Sequence, residues 1–206
     1  MMDLIDKSGP VFYALAFCSL VATVVIIERL LSLRRSRVLP RQILDVVDVI
    51  APGKDLGLAL EICRRNPGVL SHVMQAALEN ADQSWEVMRD AVVDAGRRET
   101  PAIERNLFWL QTMAQAAPLL GLLGTVFGMI KMFSAVSLSG LGDPQVLSRG
   151  IGEAMLTTAE GLCIGIPALV AYNYLSSRAE RLIIEIENHA SSVLARLRAR
   201  HPELAR

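Results

Sequence analysis

Ala116–Gly128, AAPLLGLLGTVFG, and Gly150–Pro167, GIGEAMLTTAEGLCIGIP, decide how this chain folds. Both stretches are apolar, rich in glycine and carry threonine. Only the second holds carboxylates, Glu153 and Glu160. A charged side chain at the centre of a membrane helix costs about 2.5–3.5 kcal/mol on insertion scales, so an acid there is a functional-site candidate by default. The two stretches therefore read as membrane helices that handle ions, not as the core of a soluble enzyme.

At about 100° per residue, Glu153, Thr157 and Glu160 fall on one helix face. Ala154, Thr158, Gly161 and Gly165 form an adjacent stripe of small side chains. The first stretch offers a matching row, Gly121, Gly124, Thr125 and Gly128. Each row contains a G-x-x-x-G pair, Gly124 with Gly128 and Gly161 with Gly165, a spacing that lets helix backbones approach closely in lipid. The two helices are expected to pack on these glycines, with a polar seam in or beside the contact. The carboxylates then line a wet cavity, pair with a cation or polar group, or stay protonated. A plainer alternative makes Glu153 an interfacial acid at a helix N-terminus, favoured by the dipole. For Glu160 it is a protonated side chain bonded to a neighbouring helix. Thr125 and Thr158 can likewise bond a carbonyl one turn back. Pro118 and Pro167 each remove a backbone donor and are expected to kink their helices.

Working outward, Val11–Ile27 is a further apolar run, free of charge, followed by Glu28-Arg29 and then Arg34, Arg35, Arg37 and Arg41. About 20 apolar residues cross the hydrocarbon core, and an arginine cluster beside a span marks the cytoplasmic side. Arg178 and Arg181 follow the last span in the same way, and Lys131 can snorkel from the second. The expected topology is N-out, in, out, in. The fold class is an all-α integral membrane protein with three transmembrane helices, the second and third extending into the cytoplasm. Residues 1–33 form the outer N-terminus and first span, 34–105 a cytoplasmic helical region, and 106–135 the second span. Residues 136–150 form an outer loop, 151–177 the third span and 178–206 a cytoplasmic C-terminal helix.

The cytoplasmic region is punctuated by Pro40, Ala51-Pro52-Gly53 and Asn66-Pro67-Gly68. Leu56, Ala59, Leu60 and Cys63 keep helical spacing, as do Val69, Val73, Ala76 and Ala77. Trp85–Arg105 reads as a long helix entering the membrane, with Pro101 able to bend it. After the third span, Leu182, Ile186, Ala190, Val193 and Leu197 form one apolar stripe that needs a packing partner.

Composition fits this reading. The 206 residues are 52% hydrophobic and 20% charged, with mean hydropathy +0.37. Lys plus Arg and Asp plus Glu are equal at 21 each, which leaves no basic footprint for nucleic acid. Cys18, Cys63 and Cys163 lack C-x-x-C spacing and read as reduced packing residues, with no metal or disulfide framework implied. Asp3, Asp6 and the lack of a small-x-small site argue for an uncleaved first span. His72, His189 and His201 lie outside the spans and far apart. No H-E-x-x-H, nucleophile elbow or P-loop is present, so neither an enzyme nor a cofactor is expected.

The run Ile27-Glu28-Arg29-Leu30, the block Ala117–Ile130 and the block Ile151–Ala159 continuing to Ile166–Leu169 resemble the MotA/TolQ/ExbB proton-channel family. Three spans resemble its ExbB/TolQ branch. The resemblance implies a homo-oligomeric ring, usually a pentamer, in a bacterial inner membrane. The ring surrounds an ExbD/TolR-like single-span protein with a membrane Asp and uses the proton motive force to work on a TonB- or TolA-type client. It maps the pore-lining threonine of the second span onto Thr125, and the glutamate and threonine of the third onto Glu153 and Thr158. Glu160 is not carried over from the family, and its place in the ion path rests on the physical argument alone. A non-conducting membrane scaffold is the alternative reading.

Overall fold

Eight helices account for nearly all of the described residues. The computed structural model describes residues 2–49, 56–139 and 144–200; the Ala51-Pro52-Gly53 turn lies outside them. The helices are α1 (Met2–Ser32), α2 (Arg35–Val38), α3 (Arg41–Val49), α4 (Leu56–Arg65), α5 (Val69–Glu79), α6 (Trp85–Glu104), α7 (Leu107–Ser139) and α8 (Pro144–Arg200). No strand occurs among the described residues. Three helical stretches are long and apolar enough to cross a membrane, within Val11–Ser32, Trp85–Ser134 and Gly150–Ala199. At 1.5 Å per residue the 57-residue α8 is about 85 Å long. That is far more than the roughly 30 Å of hydrocarbon a bilayer presents.

Two compact units divide the chain, and α1 and α8 contribute to both. The first comprises Met1–Arg29 and Asn106–Tyr174. In it, α1 buries Val11, Leu15, Cys18, Ala22, Val25 and Arg29. Steps alternating between four and three make this a 3.5-residue repeat, the spacing of a continuous helix–helix seam. Tyr13, Phe17, Leu20, Val24 and Ile27 point the other way and are exposed. The same division holds on α7, where Leu110, Ala114 and Ala117 are buried while Leu119, Leu122, Val126, Phe127 and Phe133 are exposed. So much exposed apolar surface on long helices suits lipid or further helices, not water.

The second unit comprises Leu30–Arg105 and Leu175–Arg206. The expected stripe on α8 is buried throughout: Leu182, Ile186, Ala190, Val193 and Leu197. On α5 the core positions are Leu70, Val73, Met74 and Ala77. The expected row Val69, Val73, Ala76 and Ala77 is therefore rotated, because Leu70 and Met74 offer more apolar surface to bury. Polar contacts tie the helices together at their edges. His72 Nδ1 lies 2.8 Å from Glu99 Oε1, and the Arg198 guanidinium stacks 4.9 Å above the Trp85 ring.

The long helix expected to run from Trp85 into the membrane is interrupted. α6 ends at Glu104, α7 begins at Leu107, and Asn106 has φ 63°. Asparagine is the residue after glycine that best accepts this left-handed conformation, and it closes helices from that position. The link expected over 136–150 also differs. α7 continues to Ser139 and α8 already begins at Pro144, with 140–143 outside the described residues. Val136, Ser137 and Leu138 contain no helix breaker, whereas a proline at the first helical position starts a helix well.

Candidate functional site

Within the first unit, α7 and α8 meet through backbone. A Cβ added to Gly121 would stand 2.9 Å from the Thr157 carbonyl oxygen and 3.1 Å from Thr158 Cα. One added to Gly161 would stand 2.6 Å from the Ala117 carbonyl oxygen, and one on Gly165 2.6 Å from Pro118 Cγ. One added to Gly124 would stand 2.6 Å from Thr157 Oγ1, and one on Gly128 2.9 Å from Ala154 Cβ. Alanine does not fit at these five positions without movement. The seam thus runs from Gly128 against Ala154 down to Pro118 against Gly165. Pro118 and Pro167 both lie inside continuous helices.

Thr157 and Thr158 lie along this seam, Thr125 follows Gly124 in the chain, and each of the three hydroxyls donates its proton to a carbonyl. Thr157 Oγ1 donates to Ala154 O at 2.7 Å and Thr125 Oγ1 to Leu122 O at 2.6 Å, both within their own helix. Thr158 Oγ1 reaches across to Gly121 O at 3.2 Å, linking α8 to α7. A hydroxyl that has given its proton still offers lone pairs, so Thr125 and Thr158 are poised as acceptors. Thr157 is buried. On the helical wheel it shares the carboxylate face, yet it turns into the glycine seam, because Gly124 leaves room there for a branched side chain.

Glu153 and Glu160 are half-buried on α8, and Glu160 Oε1 is buried. The dipole alternative for Glu153 does not hold. α8 starts at Pro144, more than two turns upstream, and the dipole's influence falls off within the first turn. Glu153 is therefore an acid inside a helix, one turn from Thr157.

A second polar cluster was only half legible. Arg29 is 2% exposed, although its neighbours in sequence read as an interfacial helix end. Its guanidinium holds the Glu28 carboxylate by two bonds, Nε to Oε2 at 2.6 Å and Nη2 to Oε1 at 2.5 Å. Asn106 Nδ2 donates to the same Oε2 at 3.2 Å. The residue that breaks α6 from α7 therefore also ties that break to the end of α1. The pairing of residues 28 and 106 has no local signal; only the asparagine itself hinted at a special backbone. Among the described residues no group of three or more His, Cys, Asp or Glu side chains could hold a metal. The three cysteines are free thiols, Cys18 and Cys63 buried and Cys163 exposed. Cys163 is thus exposed and not one of the core residues.

The family model of the MotA/TolQ/ExbB proton channel family matches residues 66–188. A putative biopolymer transport protein, ExbB-like 1, of Synechocystis is 32% identical over 182 residues, covering 86% of this chain and 71% of the relative. The biopolymer transport protein exbB1 of Vibrio cholerae is 31% identical over 193 residues, 91% of this chain and 84% of the relative. The Tol-Pal system protein TolQ of Pseudomonas aeruginosa is 33% identical over 132 residues, 64% of this chain and 57% of the relative. The chain belongs to the MotA/TolQ/ExbB proton channel family, in its ExbB/TolQ-like branch, and is a multi-pass membrane protein.

Proposed function

We propose that this family member is the ring-forming subunit of a motor driven by the proton motive force in a bacterial inner membrane. Copies of the chain surround a single-span ExbD/TolR-like partner and pass work to a TonB- or TolA-type client. The observation that carries this reading is the α7–α8 seam. Thr158 bonds across it to Gly121 O, and Thr125, Glu153 and Glu160 lie on the same two helices, within stretches whose large exposed side chains, from Leu119 to Ile130 and from Ile151 to Val170, are apolar. The exposed apolar faces of α1, α7 and α8 supply surface for lipid and for neighbouring copies.

The chemistry follows from the hydroxyl geometry. A partner Asp becomes a donor when protonated and an acceptor when ionised. Thr125 and Thr158, with protons already committed to Leu122 O and Gly121 O, receive a hydrogen bond from the protonated acid. Ionisation turns that contact into a repulsion between lone pairs and charge, unless the hydroxyl rotates or water enters. Each proton taken up or released therefore changes where the partner's acid is best placed, and a cycle of such changes can drive motion. Glu153 serves as the polar or relay group toward the outer side, and Glu160 as a second acid within the span. The N-terminus lies outside and the arginine-rich ends inside.

Proton flux should be measured in liposomes holding the complex, with the partner's Asp intact and then replaced by Asn. Flux is expected only with the intact acid, and Thr125→Ala, Thr158→Ala and Glu153→Ala should each lower it. Full flux and full energy-dependent function in all three variants, at normal protein levels, would remove the assignment. A complex that assembles but never conducts would favour the scaffold reading.

A further inference from the structure

We propose that the segment joining α1 to α3, together with the stretch of α8 packed on it, binds the phosphate headgroup of an anionic phospholipid. From Leu33 to Arg41 the chain reads LRRSRVLPR, with four arginines and no acid. Its apolar residues Leu33, Val38 and Leu39 are buried, whereas Arg34, Arg35, Arg37 and Arg41 are all exposed. The segment is therefore seated in the protein by its apolar side and turns its cations outward.

Two contacts fix it to α8. The Arg178 Nε donates to the Leu33 carbonyl at 2.8 Å, satisfying a carbonyl left open where α1 ends. The Arg35 guanidinium grips the Glu185 carboxylate through Nε and Nη2. Leu33 follows the span candidate of α1 and Arg178 follows the charge-free stretch of α8, so the first contact joins the chain just past the ends of two apolar runs. Leu30 and Leu31 remain exposed there, immediately before the arginines. Apolar side chains followed at once by cations match the order of acyl chain and headgroup in a leaflet.

The arginines differ in what they have left to give. Arg35 is committed to Glu185 and Arg178 to Leu33. Arg34, Arg37, Arg41 and Arg181 are exposed, and among the described residues none of the four makes an ion pair. Arg181 lies on α8 between the two anchoring positions, beside the acid Glu180. Arginine's planar fork grips phosphate oxygens in pairs. Arg34 and Arg37 on the segment and Arg181 on α8, on two elements joined by the Leu33–Arg178 and Arg35–Glu185 contacts, select a phosphate with net negative charge over a zwitterionic one.

The test uses the full-length chain in neutral detergent, equilibrated with phosphatidylglycerol and phosphatidylcholine and read by native mass spectrometry. The wild type should retain phosphatidylglycerol preferentially. The triple variant Arg34→Gln, Arg37→Gln, Arg181→Gln should weaken phosphatidylglycerol association about a hundredfold, with phosphatidylcholine unchanged. The corresponding triple lysine variant keeps the charge and should retain the preference to within about tenfold. The proposal fails if the wild type shows no preference or the glutamine variant keeps it. It fails equally if the lysine variant loses it or if millimolar soluble glycerol phosphate displaces the lipid. The last outcome would mean a site for free phosphate.

Discussion

Gly161→Ala tests whether backbone contact is what the glycines of the seam supply. The added Cβ would stand 2.6 Å from the Ala117 carbonyl oxygen and 3.0 Å from Gly121 Cα, where ordinary contact begins at 3.4 Å. Both neighbours are backbone, so no side chain can swing aside, and α7 and α8 must part by about 0.8 Å. A gap of that size loses roughly a quarter to a half of each dispersion contact along the seam. Overpacking of this kind costs about 1–3 kcal/mol. The Thr158–Gly121 hydrogen bond, already 3.2 Å, would lengthen beyond useful range. Alanine's better helix propensity returns at most about 1 kcal/mol. The expected net loss is therefore about 1–2 kcal/mol. Gly152→Ala is the control, since it lies on the same helix with nothing within 4 Å of its Cβ position. Only the propensity gain applies there. Stability is read from reversible unfolding in mixed micelles by circular dichroism. Equal stability of the two variants would refute close backbone packing as the reason for glycine at 161.

Three further outcomes are expected. Arg29→Ala should destabilise the protein by about 2 kcal/mol, short of the 3–5 of a fully buried pair because Glu28 is half exposed and can hydrate; denaturant unfolding measures it. Burial pushes the Cys63 thiol up to about 11. A variant keeping only this cysteine should react with maleimide at pH 8 about two hundredfold more slowly than a free thiol, and at the free rate once unfolded. The Arg35 hydrogen bond holds the Glu185 carboxyl below its usual 4.5. Its folded value is depressed, so the stabilisation is complete above about pH 4.5 and disappears as pH falls through the folded value. The midpoint difference between wild type and Glu185→Gln should accordingly shrink below pH 4.5 and diminish with salt, since the pair is largely exposed.

The sequence by itself determined the class of molecule. Three long apolar runs, glycines at four-residue spacing and acids inside a span admit few solutions other than packed membrane helices. These are properties of periodicity and of transfer energy, and both are written in the residue order. The apolar stripe from Leu182 to Leu197 was legible for the same reason. Tertiary structure decided what depends on a neighbour. The wheel places Thr157 with the carboxylates, but Gly124 on another helix gives it a pocket. Arg29 is charged and next to a helix end, yet it is buried and holds Glu28, whose carboxylate also accepts a hydrogen bond from Asn106, 78 residues away. The arginines after α1 read only as a marker of sidedness. Their division into anchors and free forks came from Leu33, Arg178 and Glu185, which no local pattern brings together.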